Sequence, residues 1–293
     1  MRCSICPRRC DVDRTAETGF CGAVSVPRVA RADLHFWEEP CISGTRGSGA
    51  VFFSGCNMAC EFCQNFVLQS GAMGQLCPPE TLSDIYLSLQ ARGAHNINLV
   101  TGAPHIVAIA ESLRIARGNG LTIPVVYNTN AYETVPALRM LEGLVDIYLP
   151  DLKYVSASLS AAFSGTPDYS EFAIPAISEM LRQVGHLRLD ASGLASRGLL
   201  IRYLVLPNCV FDARSILDVI KTQFTVETHL SIMRQYTPTP RIVTKSLNRF
   251  VTQREYDRVL EYAQSCGFSD IFIQDAASAN LEFTPIFTDS IWK

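Results

Sequence analysis

With 293 residues, 48% of them hydrophobic and 18% charged, the chain has a globular composition and enough apolar material for a large core, which excludes a disordered polymer. A net charge of -3 gives no reason to expect nucleic acid or an anionic membrane as partner. No apolar run reaches the roughly 18 residues of a membrane span, and Met1-Arg2-Cys3-Ser4 begins no signal-type apolar stretch, so a soluble, cytoplasmic protein is expected.

Eleven cysteines stand out. Seven form two tight groups, Cys3, Cys6, Cys10, Cys21 and Cys56, Cys60, Cys63, while Cys41, Cys77, Cys209 and Cys266 are scattered. Without an export signal, grouped cysteines point to metal or redox chemistry rather than to disulfides. Cys209 and Cys266 read as small buried apolar residues.

Residues 1–49 show no long periodic segment and end in the turn-rich run Ile42-Ser43-Gly44-Thr45-Arg46-Gly47-Ser48-Gly49. They are expected to form a loop-dominated, Cys-rich metal-binding extension. From Ala50 short apolar runs alternate with helical patterns, the mark of βα units on a parallel sheet. Strands are expected at Ala50–Ser54, Ile97–Val100, Pro124–Asn128, Val145–Leu149, Leu200–Leu206, Leu230–Gln235 and Asp270–Gln274. Thr252-Gln253-Arg254-Glu255 is a capping box opening a helix that Gly267 stops. Pro175 is expected to break or kink the helical pattern between Asp168 and Val184. Residues 50–293 thus read as an α/β fold, a mostly parallel, partial (β/α)6-type barrel, whose chemistry should lie at the carboxyl ends of the strands.

The first barrel strand runs directly into Gly55-Cys56-Asn57-Met58-Ala59-Cys60-Glu61-Phe62-Cys63, a C-x3-C-x2-C loop. Random scatter would give about 0.015 such triplets, so accident is a poor account. Thiolates suit iron–sulfur clusters and zinc. A cubane of four irons normally takes four cysteines, so three on one loop leave one iron open to an outside molecule. The competing reading is a zinc loop that borrows His105 or Cys41, although structural zinc sites usually come as two separated pairs.

C-x3-C-x-aromatic-C after a first barrel strand resembles the radical S-adenosylmethionine superfamily. Glu38-Glu39-Pro40, Gly44-Thr45-Arg46-Gly47-Ser48-Gly49-Ala50-Val51-Phe52-Phe53 and Cys63-Gln64-Asn65 resemble its PflX-type branch, relatives of pyruvate formate-lyase activating enzyme. The resemblance extends over nearly the whole chain. It implies a 4Fe–4S cluster on Cys56, Cys60 and Cys63 that binds and reductively cleaves S-adenosylmethionine, giving a 5′-deoxyadenosyl radical that abstracts a substrate hydrogen. It also implies Phe62 near the adenine, with packing under the loop as a compatible role.

Polar residues end the other strands: Asn128 in Tyr127-Asn128-Thr129-Asn130, then Asp151-Leu152-Lys153, with Arg202 inside an apolar run. Polar ends at corresponding depths suggest one shared site. A charge in so apolar a strand needs a partner, and Arg202 is expected to pair with Asp151, bind a ligand, or do both. The resemblance places Asn128, Asp151, Lys153 and Arg202 around the cofactor. One departure is clear: where many members carry a Gly-Gly-Glu-Pro-like segment for the methionine amine, this chain has Val100-Thr101-Gly102-Ala103-Pro104-His105 and no acid. Thr101 and Gly102 remain to offer backbone carbonyls, and His105 is expected at a helix start facing solvent.

Four thiolates can complete a coordination shell, so Cys3, Cys6, Cys10 and Cys21 read as a structural or electron-relay site, for zinc or a second iron–sulfur cluster. Arg8, Arg9 and Arg14 are expected on a solvated basic face. The leading expectation is a radical enzyme, served by a low-potential donor such as flavodoxin or ferredoxin, and the resemblance implies that it activates a glycyl radical enzyme. Modification of a peptide or small molecule by the same chemistry is the alternative, and a non-catalytic iron–sulfur or zinc electron-transfer protein is the competing class.

Overall fold

The computed structural model describes residues 2–280, 285–287 and 291–292. An antiparallel pair comes first. β1 (Arg28–His35) runs against β2 (Ser48–Phe53), with the short α1 (Pro40–Ser43) between them, and β3 (Gln75–Leu76) extends the edge beside β1. Then α2 (Pro79–Ala91), β4 (Ile97–Val100), α3 (Ile106–Gly118), β5 (Val125–Thr129), α4 (Val135–Arg139) and β6 (Ile147–Pro150) alternate. α5 (Ala157–Ser164), α6 (Tyr169–Val184) and β7 (Arg188–Leu189) precede the long β8 (Ala195–Leu204). α7 (Val210–Phe224), β9 (His229–Met233), α8 (Gln253–Ser265) and β10 (Ile271–Ile273) complete the order.

The sheet runs β10-β9-β8-β6-β5-β4-β2-β1-β3, and its seven strands from β10 to β2 are parallel. β10 and β3 do not join, so this is an open, partial barrel of α/β type. All seven expected strands are present within a few residues of their expected bounds. β4, β5 and β6 are buried along their whole length, as parallel strands covered on both faces must be. The Thr252 capping box forms in full, and Gly267 takes φ +97° just beyond α8.

Helices cover the outer face of the sheet; α1 fills the inner one. Cys41 and Ile42 pack against Val126, Ile147, Leu149 and Leu200. Burying a side chain such as Ile42 contributes about 1.5–3 kcal/mol, enough to seat this short plug inside the barrel. Ser43 fixes its lead-in, accepting from the Glu38 amide at 3.1 Å and donating to the His35 carbonyl at 3.2 Å. Glu38 and Glu39 are thereby carried into the barrel.

Two expectations are corrected. Residues 1–49 are not only loop, because β1 pairs along β2; its alternation is masked by Arg28, Arg31 and Asp33 and interrupted by a register shift at Val29/Arg31. Arg31 and Asp33 pair with each other at 2.9 Å, which lets charge sit in a strand. Pro175 does not break its helix: α6 is continuous from Tyr169 to Val184, with the exposed Pro175 turned to solvent.

Candidate cluster-binding loop and cofactor pocket

The three-cysteine loop leaves the carboxyl end of β2 and is clamped from several directions. Its Ala59 and Glu61 amides donate to the Ser164 and Phe163 carbonyls at the end of α5, at 3.1 and 3.0 Å. The fully buried Asn57 side chain donates to the Tyr132 carbonyl and accepts from Asn130 Nδ2 at 2.9 Å. Glu61 Oε2 accepts from the Val243 and Thr244 amides at 2.9 and 3.1 Å, tying in the segment after β9.

Within that frame the sulfurs have specific donors. Ser164 Oγ lies 3.0 Å from Cys60 Sγ and Asn130 Nδ2 lies 3.6 Å from Cys56 Sγ. The Met58 amide donates to Cys56 and the Asn65 amide to Cys63. Burial, reinforced by the neighbouring thiols, pushes Cys56 up to about 12 and Cys63 up to about 11; burial also raises Cys60, against the pull of Lys153. Three thiols packed this closely resist ionising together unless a cationic group joins them, which fits a metal cluster and the proton release that accompanies its binding.

The loop forms one wall of a cavity of about 240 Å³, which also meets Thr101, Asn128, Asp151, Lys153 and Arg202. These polar groups form a closed network. Arg202 donates from Nε to Asp151 Oδ1 at 2.9 Å, from Nη1 to Glu38 Oε2 at 3.0 Å and from Nη2 to Asn128 Oδ1 at 2.6 Å. Glu38 Oε1 accepts from Asn98 Nδ2 at 3.0 Å and Asn128 Nδ2 at 3.2 Å, and Lys153 Nζ pairs with Asp151 Oδ2. Although burial opposes it, Lys153 and then Arg202 hold the Asp151 carboxyl below its ordinary value. Burial raises Glu39, and its Oε2 has no hydrogen-bond partner.

Arg202 therefore has its ion pair with Asp151, and a second one with Glu38 that sequence reasoning missed. Glu38 lay in a quoted motif, but nothing in its neighbours shows that it reaches β8. Phe62 is buried in the core, its ring 6.2 Å from that of Tyr236, and it also faces the cavity. Thr101 holds φ +63°, a conformation a β-branched residue rarely adopts, and such strain gathers at functional sites. Gly102 is packed so that a Cβ would lie 2.7 Å from Ile109 Cδ1, and its carbonyl accepts the His105 amide at 2.8 Å.

His105 does not face solvent. It is buried, its Nε2 meets the Ser54 carbonyl at 2.8 Å, and burial lowers it to about 4. Cys41 sits in the α1 plug, so both residues offered to a zinc loop are engaged elsewhere. Arg8 and Arg14 are not on a solvated face either. Arg8 donates to the Asn57 and Gly165 carbonyls at 3.0 and 2.8 Å, and Arg14 to those of Ala23, Val24 and Pro104, joining the amino-terminal segment to the barrel's loops. Among the described residues no three His, Cys, Asp or Glu side chains converge closely enough to hold a single metal ion. No helix among them is long and apolar enough to cross a membrane.

Residues 43–135 match the family described as a 4Fe-4S single cluster domain. The chain is 29% identical over 283 residues to the uncharacterized protein MJ0674 of Methanocaldococcus jannaschii, covering 92% of this chain and 76% of that protein. Two structures of Streptococcus suis SuiB share its fold. SuiB bound to the precursor peptide SuiA has a TM-score of 0.53 at 13% identity, over 75% of this chain and 46% of SuiB. SuiB bound to S-adenosylmethionine has a TM-score of 0.51 at 15% identity, over 75% and 47%. HydG, a maturase of the FeFe-hydrogenase, has a TM-score of 0.50 at 11% identity, over 74% and 48%. This chain spans about half the length of each of these solved chains. Residues 43–135 are thus similar to a 4Fe-4S cluster family, and the open barrel shares its fold with SuiB and HydG.

Proposed function

We propose that Cys56, Cys60 and Cys63 hold the 4Fe–4S cluster through three thiolates and that S-adenosylmethionine occupies the adjoining cavity. The observation that carries this reading is the placement of three cysteine thiols of one loop on the same cavity as Asn128, Asp151, Lys153 and Arg202. When bound, the two cofactors supply one-electron reductive cleavage to methionine and a 5′-deoxyadenosyl radical for hydrogen abstraction.

The chain's own residues bind, orient and exclude water. Ser164, Asn130 and the Met58 and Asn65 amides donate to the sulfurs, and such bonds tune a cluster's potential. Arg202 holds Asp151, Glu38 and Asn128 in register with three of its five N–H donors and keeps two for the cofactor. Lys153, whose ammonium keeps further donors beyond Asp151, and Asn128 and the Thr101 backbone share that contact. Phe62 offers a ring face to the adenine, and Val100, Leu204 and Met233 give the cavity apolar walls that keep out water.

The finer reading is activation of a glycyl radical enzyme by removal of a backbone glycine hydrogen, with flavodoxin or ferredoxin as electron donor. Its support is the resemblance of residues 38–65 to the PflX-type branch. After anaerobic reconstitution, dithionite-dependent 5′-deoxyadenosine should form and disappear in Cys60→Ala. No product from a folded, iron-loaded protein rejects the reading. Deuterium passing from a labelled glycyl radical enzyme into 5′-deoxyadenosine supports the proposed substrate, and its passing from a small molecule instead rejects it.

A further inference from the structure

The amino-terminal cysteines lie outside the barrel site, yet the chain around them is folded in a similar way. Cys3 and the 10–13 segment are drawn together by Cys3 N to Val12 O at 2.9 Å and Asp11 N to Cys3 O at 3.0 Å, with Arg2 bridged to Asp13. The Arg9 amide closes a turn on the Cys6 carbonyl at 3.1 Å, and both Arg9 and Asp11 take positive φ, +44° and +55°. Two non-glycine residues in that region within three positions require a fixed local arrangement. A second turn, Gly22 N to Gly19 O at 3.0 Å, brings Cys21 in. Gly19 is needed there, since a Cβ would lie 2.9 Å from both Cβ and Sγ of Cys10.

The sulfurs are also provided with donors. The Arg8 amide donates to Cys6, the Ala23 amide to Cys21, and Phe20 N lies 3.4 Å from Cys10 Sγ. The first two repeat the barrel loop's relation, in which the amide two residues on bonds the sulfur, as Met58 does for Cys56 and Asn65 for Cys63. All four cysteines are free thiols and only partly buried. The Arg8 guanidinium lies 3.8 Å above the Phe20 ring and Arg14 acts on Cys21 electrostatically, so positive charge borders the group.

Cys3, Cys10 and Cys21 all lie within electrostatic reach of Cys6, so the four sulfurs are gathered in one place, as the four thiolates of a cubane are. The group also abuts the barrel loop: a Cβ on Gly55 would stand 2.8 Å from the Cys21 carbonyl, Arg8 Nε reaches Asn57 O, and Thr134 Oγ1 donates to Ile5 O at 2.8 Å.

We propose that Cys3, Cys6, Cys10 and Cys21 bind a second 4Fe–4S cluster, closed by four thiolates and seated against the Gly55–Asn57 turn. With no open iron, this cluster does not take S-adenosylmethionine. The inference uses none of the barrel cysteines and goes beyond the proposed activity.

Iron, sulfide and zinc are measured on the full chain after anaerobic reconstitution, together with the EPR spectrum of the reduced protein. The wild type should hold about eight irons and eight sulfides, and the triple variant C56A/C60A/C63A about four of each. S-adenosylmethionine should change one of the two wild-type signals and leave the triple variant's signal as it was. Folding of each variant is checked by circular dichroism, and the wild-type titration answers the question even if a variant fails to fold. About four irons in the wild type, all lost in the triple variant, would overturn the second site and leave the barrel reading standing; so would about one zinc per chain held by the amino-terminal cysteines. Eight irons with no signal responding to S-adenosylmethionine would uphold the second cluster and reject the barrel reading.

Discussion

Arg202 and Glu38 lie 164 positions apart in the chain, yet Arg202 Nη1 stands 3.0 Å from Glu38 Oε2 on the wall of the cavity. The pair joins β8 to the α1 plug. Breaking one side of a buried ion pair leaves the other charge without full compensation, which costs about 3–5 kcal/mol when no partner remains. Arg202 keeps Asp151, so Glu38→Gln should lower unfolding stability by a smaller amount, about 1–3 kcal/mol. Arg202→Lys cannot reproduce the three-way fork and should cost more than Glu38→Gln. Denaturant titration checks the order; a Lys variant as stable as the wild type would refute the network's role.

Two buried groups give opposed pH dependences. Burial lowers His105 to about 4, below its unfolded value of 6.5, so its contribution is complete above pH 6.5 and is lost as pH falls toward 4. Burial raises Glu133 from 4.5 to about 7, against hydrogen bonds from Thr129 and Tyr127, so its contribution is complete below pH 4.5 and is lost as pH rises through 7. Each shift corresponds to about 3 kcal/mol. Relative to His105→Gln, the wild type should lose up to that amount between pH 7 and 4. Relative to Glu133→Gln it should gain a similar amount over the same interval. Stability differences that stay flat with pH would contradict both assignments.

Much of this could be read along the chain because the signals are local. The strand that feeds Cys56–Cys63, the seven parallel strands and the Thr252 box each lie within a dozen residues. What escaped depends on distance. β1 is a strand because β2 offers its edge, and its Arg31 and Asp33 look like loop residues until they pair. Glu38 looks like one acid among several until α1 enters the barrel and carries it to Arg202. His105 looks like a solvent-facing helix start, since its partner is a carbonyl 51 residues earlier. Arg8 and Arg14 look like a basic face for the same reason: the carbonyls they cap, such as those of Asn57 and Pro104, belong to the barrel's loops.

Gly55, at φ +96°, is one of the points where the amino-terminal segment touches the barrel loop. Gly55→Ala adds both backbone strain and a 2.8 Å approach to the Cys21 carbonyl, so the loop must shift. A loss of about 1–3 kcal/mol is expected, with less iron bound per chain after reconstitution. Unchanged iron and unchanged Tm would show that the contact is dispensable.

Pro175 removes one backbone donor from the interior of α6, a change that costs roughly 3 kcal/mol in an unconstrained helix. Its ring is exposed, so Pro175→Ala leaves no cavity. The variant should be more stable by about 1–3 kcal/mol in urea unfolding. A loss of stability would mean that the proline fits a bend the helix needs.

In the proposed function Cys56, Cys60 and Cys63 would leave one cluster iron without a side-chain ligand, open to the methionine end of S-adenosylmethionine. Electron–nuclear double resonance on the reduced protein with isotope-labelled S-adenosylmethionine tests this most directly. A hyperfine coupling between the barrel cluster and the labelled amino nitrogen or carboxylate is predicted, absent in Cys60→Ala. A fully loaded, folded wild type that shows no coupling to either label would contradict it.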